Sequence, residues 1–146
     1  MKIIGFAQLR NELSNGNLDN FVRSMNEVCD YVYVYDQASD DESREVYEQN
    51  KNWIVTYSPQ NDFLREIYCK ASLMDTLLSD HPDVDWIFWM DGDTILDGRV
   101  DRIAMEKMLI EFSDKQGVCI PHYNLWRSDI YYRIDSSYHS FRTLEL

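Results

Sequence analysis

Short apolar runs of strand character alternate along this chain with longer segments in which apolar residues return at helical spacing. Residues 2–8 form the first run. A polar loop through Asn11, Glu12, Asn15 and Gly16 then leads to a predicted helix over 18–29, with Phe21, Val22, Met25, Val28 and Cys29 at helical intervals. Residues 31–35, rich in Val and Tyr, predict a second strand. The Ser and Asp side chains of 36–41 suit the cap of a helix running to Asn50, and 53–57 predict a third strand. Beyond the turn-prone Ser58-Pro59-Gln60-Asn61, a long helix is expected over 62–80, presenting Phe63, Ile67, Cys69 or Lys70, Met74, Leu77 and Leu78. A fourth strand is expected over 86–90, then a helix over 100–113 with Ile103, Met105, Met108, Leu109 and Phe112, and a further strand over 118–121. Alternating units of this kind predict an α/β fold, a mostly parallel sheet with helices on both faces. Residues 122–146 are aromatic and polar without clean periodicity, so a single domain over 1–146, truncated at its C-terminus, is expected.

Composition narrows the partners. With 45% apolar and 14% aromatic residues in 146, the chain can fold as a globule that buries roughly two thirds of its unfolded surface. A formal charge of −12, from 14 basic and 26 acidic residues, opposes general affinity for nucleic acid or anionic lipid, so a nucleotide would need a local site. The opening Met-Lys-Ile-Ile-Gly-Phe-Ala-Gln is too short an apolar stretch for a signal peptide, and no run approaches the roughly 20 apolar residues that cross a bilayer. A cytoplasmic protein without a transmembrane segment is expected. Cys29, Cys69 and Cys119 are odd in number and far apart, which suggests neither a disulfide framework nor a CxxC zinc site but reduced, mostly buried thiols.

The candidate chemistry centres on Asp85-Trp-Ile-Phe-Trp-Met-Asp-Gly-Asp-Thr94, an apolar strand ending on two carboxylates, Asp91 and Asp93. Ligands of open α/β sheets collect beyond the carboxyl ends of such strands. Hard oxygen ligands with open positions suit Mg²⁺ or Mn²⁺ bridging a diphosphate, and Gly92 between them leaves room for a close-approaching ligand. The plainer reading is an acidic turn after a strand. Other loops bring matching residues to the same edge: Asn11 and Glu12 after the first strand, Asp36 to accept a hydrogen bond from a base N–H, and Arg65 or Lys70 to offset diphosphate charge. Asp36 and Asp41 also suit turns and caps, and Arg65 and Lys70 a solvated helix face.

Arg10-Asn11-Glu12, the block Asp-Gln-Ala-Ser-Asp-Asp-Glu-Ser at 36–43, and the run that ends on Asp91 and Asp93 together resemble the family-two nucleotide-sugar glycosyltransferases of GT-A fold. The second block is similar to that family's Asp-Asn-Ala-Ser-Ser-Asp-Gly-Thr pattern, with Asp36, Ala38, Ser39 and Asp41 in register and Gln37, Asp40, Glu42 and Ser43 as variants. The resemblance covers residues 1 to about 100, the donor-binding part, and leaves 101–146 as a partial acceptor part. It implies a GT-A-like domain in which Leu9, Asn11, Glu12 and Asp36 lie around the nucleoside of a UDP- or GDP-sugar, and Arg65 or Lys70 near the diphosphate. Asp91 would lie near the ribose or metal, and Asp93 on a Mn²⁺ or Mg²⁺ ion. The implied activity is metal-dependent transfer of a sugar to an acceptor hydroxyl, a hexosyltransferase type of reaction on a glycan, lipid-linked or protein acceptor.

A general base is harder to assign. Asp129, Asp135, His122 and His139 are available, and Asp129 is favoured because Tyr123, Trp126 and Arg127 precede it with faces and charge suited to a sugar. One alternative is a catalytically incomplete sugar-nucleotide-binding domain. Another is a haloacid-dehalogenase-like phosphatase using Asp91 as nucleophile, although that motif ordinarily begins its domain. A calcium loop fits less well, with Ile95 at a ligand position and Arg102 where a bidentate Glu is needed.

Overall fold

The computed structural model describes residues 1–121 and Leu125. The elements run β1 (Ile3–Leu9), α1 (Leu18–Val28), β2 (Tyr31–Asp36), α2 (Ser43–Gln49), β3 (Trp53–Tyr57), a 3₁₀ turn (Phe63–Arg65), α3 (Glu66–Asp80), β4 (Trp86–Trp89) and α4 (Arg102–Glu111). The strands form a four-stranded sheet in the order β3-β2-β1-β4. Every pairing is parallel, with Phe6 opposite Tyr33 and Trp89, and Val34 opposite Val55. The fold is therefore α/β, as expected.

Alternation along the strands sorts the core into two layers. Ile4, Phe6 and Tyr33 join Leu73 and Leu77 of α3, with Ile54, Met74 and Ile87 packed against them. On the other face Phe21 of α1 and Tyr47 of α2 both meet the Trp53 ring, at 6.0 Å between centroids. Gly5 lets α1 approach the sheet: a Cβ there would stand 3.1 Å from both Cys29 Sγ and Met25 Sδ. Helices thus cover both faces. Arg102 anchors the start of α4 by donating to the Val28 and Met1 carbonyls at 2.6 and 2.7 Å.

Two compact units divide the chain, Met1–Lys107 and Met108–Leu146. The whole sheet lies in the first. In the second, the described residues carry the end of α4 and a turn in which Lys115 N–H donates to the Phe112 carbonyl at 2.9 Å.

Several expectations are corrected. Residues 118–121 form no strand. A short segment becomes a strand only when a neighbour takes its backbone groups, and none pairs with it among the described residues. The helix expected over 62–80 opens as a 3₁₀ turn, and its inward face is Cys69, Leu73 and Leu77, while Phe63 and Ile67 are exposed. Cys29 and Cys69 are buried free thiols, as expected, but Cys119 is exposed. Burial pushes the Cys29 thiol up to about 12. No helix among the described residues is long and apolar enough to cross a membrane.

Candidate functional site at the carboxyl edge of the sheet

Because all four strands run parallel, their carboxyl ends share one edge, and Leu9, Asp36, Tyr57 and Trp89 are the last strand residues there. The loops after β1 and β2 interlock on it. Gln37 N–H donates to the Leu9 carbonyl at 2.9 Å, and Arg10 Nη1 donates to the Gln37 carbonyl at 2.9 Å. Asn11 and Asp40 exchange a reciprocal pair: Asn11 Nδ2 donates to Asp40 Oδ1 at 2.6 Å and Asp40 N–H donates to Asn11 Oδ1 at 2.9 Å. Asn11 and Ala38 both hold φ at 54°, in the left-handed region. Asn tolerates that backbone better than Ala does, so the turn at Ala38 stores strain of about 1 kcal/mol or more.

Asp36 is 3% exposed, and both of its oxygens are engaged by one residue. Ser39 N–H donates to Oδ1 at 2.8 Å and Ser39 Oγ donates to Oδ2 at 2.6 Å. Asp41 takes Ser43 N–H at 3.0 Å and Ser14 N–H at 2.9 Å. Partial burial would raise the Asp41 carboxyl, but the hydrogen bonds from Ser43 and Ser14 outweigh it and hold the group below the ordinary carboxylate range. Glu12 accepts from Asn17 Nδ2 at 2.9 Å.

Asp91 and Asp93 differ from these acids. Both are exposed, and among the described residues neither carboxylate takes a hydrogen bond or an ion pair. Their backbone is nevertheless fixed: Met90 N–H donates to the Phe6 carbonyl at 3.3 Å and Thr94 N–H donates to the Asp91 carbonyl at 3.0 Å. Gly92 between them is buried. A Cβ on it would fall 2.8 Å from Glu12 Cδ and Cγ and 2.8 Å from Leu9 Cδ2. The expectation that this glycine leaves space for a ligand is therefore corrected, because the space holds the Glu12 and Leu9 side chains. The same contact brings the acidic pair against the β1 loop.

The expected phosphate partners have local occupations. Lys70 pairs with Glu66, and its Nζ lies 4.4 Å from the centroid of the Trp89 ring. Arg65 is exposed, its Nη1 3.8 Å from Asp62 Oδ2 and its guanidinium 5.5 Å from the Tyr68 ring centroid. Asp129, like Asp135, His122 and His139, lies outside the described residues. Among the described residues no three His, Cys, Asp or Glu side chains gather as a metal cluster. Two carboxylates still match the habit of Mg²⁺, which is bound through one or two carboxylates with substrate phosphates and water filling the other positions.

Three residues at this edge were given no role from sequence. Gln37 is fully buried, its Oε1 accepts from Asp62 N–H at 2.8 Å, and its Nε2 has no partner among the described residues. Both amide atoms of Gln8 are likewise buried without one. A glutamine at the end of an apolar strand was the available signal. Arg10 is half-buried and holds no acid among the described residues.

Residues 35–117 match the family model described as galactosyl transferase GMA12/MNN10 family. The match begins in β2, takes in the β2 loop, Arg65, Lys70 and the Asp91-Gly92-Asp93 turn, and ends beyond α4. It supports a glycosyltransferase without singling out family two or GT-A. A comparison with curated proteins finds no match.

Proposed function

Because the chain belongs to the galactosyl transferase GMA12/MNN10 family, we propose that it takes its sugar from a nucleotide diphosphate donor bound at the carboxyl edge of the sheet. The supporting observation is the pair Asp91 and Asp93, exposed acids without partners among the described residues, backed through Gly92 by the loop after β1. In this reading, which extends the likeness to family-two GT-A enzymes, Leu9, Asn11, Glu12 and Asp36 shape the floor under the nucleoside. Asn11 and Asp36 do so by fixing the interlocked loops. Asp91 and Asp93 hold a Mn²⁺ or Mg²⁺ ion, which when bound supplies positive charge to the departing diphosphate. Lys70 and Arg65 flank that edge from α3 and the turn before it, and Asp129 is the residue offered for the proton of a hexosyl acceptor hydroxyl.

Thermal unfolding with UDP, GDP or their sugars, with and without Mn²⁺, tests the reading. A ligand at a hundred times its Kd adds about 2.7 kcal/mol of stability. The Asp93→Ala protein should lose the metal-dependent part of that gain while its ligand-free melting is unchanged. No stabilisation by any of these nucleotides, or an undiminished metal-dependent gain in Asp93→Ala, would defeat the proposal.

A further inference from the structure

Four cations are half-buried among the described residues: Lys2, Arg10, Lys70 and Arg102. Three have carboxylate partners. Lys2 holds Asp83 at 2.7 Å, Lys70 holds Glu66, and Arg102 holds Asp30 at 3.0 Å and Glu106 at 2.8 Å. Arg10 alone of the four has no such partner among the described residues, although acids outnumber bases 26 to 14 in the chain. Partly withdrawing a charge from water is costly unless something compensates it. Among the described residues the one compensation is the 2.9 Å hydrogen bond from Nη1 to the Gln37 carbonyl, which aims the guanidinium and leaves most of its five N–H donors without a partner there. Arg10 is also flanked by the two residues, Leu9 and Glu12, that fill the space beside Gly92. An oriented, partly dehydrated fork on the loop whose other side chains touch the acidic turn suits an anion with several oxygens.

We propose that Arg10 grips the phosphate oxygens of the donor, in preference to Arg65 and Lys70. Arg65 is exposed beside Asp62, and Lys70 is committed to Glu66 and the Trp89 ring. The proposal rests on the nucleotide-diphosphate reading of the same edge.

The test compares the full chain with Arg10→Gln and Arg10→Lys by titration calorimetry in Mn²⁺, using UDP, GDP, uridine, guanosine and inorganic pyrophosphate. Gln removes the charge and keeps the aliphatic stem, and the one hydrogen bond it gives up is to a neutral carbonyl, so ligand-free melting of that variant should fall by a few degrees at most. Its affinity for the diphosphate that the parent binds should drop roughly ten- to hundredfold, the usual worth of a hydrogen bond to a charged group, while nucleoside affinity stays constant. Lys should recover part of the loss, since it restores charge without the fork, and this variant carries the test if Gln impairs folding. Equal diphosphate affinity in parent and variants overturns the role of Arg10. So does an equal loss of nucleoside, or a loss confined to pyrophosphate, which would mark a free-anion site. A parent that binds no nucleotide overturns the donor site itself, an outcome visible without any variant.

Discussion

The loops after β2 and β4 both carry a parallel strand out onto carboxylates, and they spend those carboxylates in opposite ways. In the first, Asp36, Asp40 and Asp41 accept from Ser39, Asn11, Ser43 and Ser14, so each acid closes part of the loop. In the second, Asp91 and Asp93 stand exposed, and the nearby Thr94 N–H is taken by a backbone carbonyl. The difference lies in the supply of donors. Seryl and amide groups surround the β2 loop, whereas Gly92 puts no polar side chain between its neighbours. Acids with local donors contribute to folding, and acids without them keep oxygens open for a cation.

The widest gap should appear when one acid is removed from each loop. Asp36→Ala strips both acceptors from Ser39 in a site that is 3% exposed and leaves a void at the end of β2. A cost of about 2–4 kcal/mol in urea unfolding is expected. Asp91→Ala, at an exposed position, should stay within about 0.5 kcal/mol. Similar losses from the two would erase the contrast.

Gly92→Ala probes how the open acids are held. Its Cβ would meet the ends of the Glu12 and Leu9 side chains at 2.8 Å, so those side chains must shift rotamer, and a cost of about 0.5–1.5 kcal/mol is expected. Gly98→Ala provides the control, because a Cβ there meets nothing within 4 Å. If both alanines prove neutral in the same denaturation measurement, the β4 turn is not braced by the β1 loop.

Much of this was legible from residue order. All four strands fell within one or two positions of where apolar runs placed them; the inner pair, β1 and β2, are largely buried and read as continuous apolar stretches, and the half-buried outer pair are rich in aromatic and β-branched residues. The inward stripe of α3 was read in part: Cys69, Met74 and Leu77 face the core as expected, Leu73 was missed, and Phe63, Ile67 and Leu78 are exposed. Phe63, Leu64, Ile67 and Tyr68 are all large, apolar or aromatic and exposed, so hydrophobicity alone did not mark the buried face, and the tighter 3₁₀ turn over Phe63–Arg65 changes the angular phase at which α3 begins. At the site, Asp91 and Asp93 were given a role by motif, whereas Arg10 was read only as part of the Arg10-Asn11-Glu12 block and given none. Its interest lies in a half-buried position without an acid partner among the described residues, which is a property of packing across loops and leaves no mark on local spacing. The occupation of Asp36 by Ser39 was closer to hand, since an Asp three residues before a Ser is a common turn pairing.

The smallest effect concerns acidity in the donor-rich loop. Hydrogen bonds from Ser43 and Ser14 hold the Asp41 carboxyl below its unfolded value despite the opposing pull of burial. At falling pH the unfolded chain therefore takes up this proton before the folded one does, and stability declines. The Asp41 contribution is complete above about pH 4 and disappears as the pH drops through the lower folded-state value. Because Asp41 is only partly covered, solvent screening limits it to at most about 1 kcal/mol. Urea unfolding of parent and Asp41→Asn across this window isolates the term from Asp83 and Asp97, whose carboxyls are also lowered, by Lys2 and Arg99 respectively. The difference between the two proteins should be largest near neutrality and shrink toward acid. A difference that stays constant with pH would mean that Asp41 acts through packing, and would weaken the view that donors are what separate the two loops.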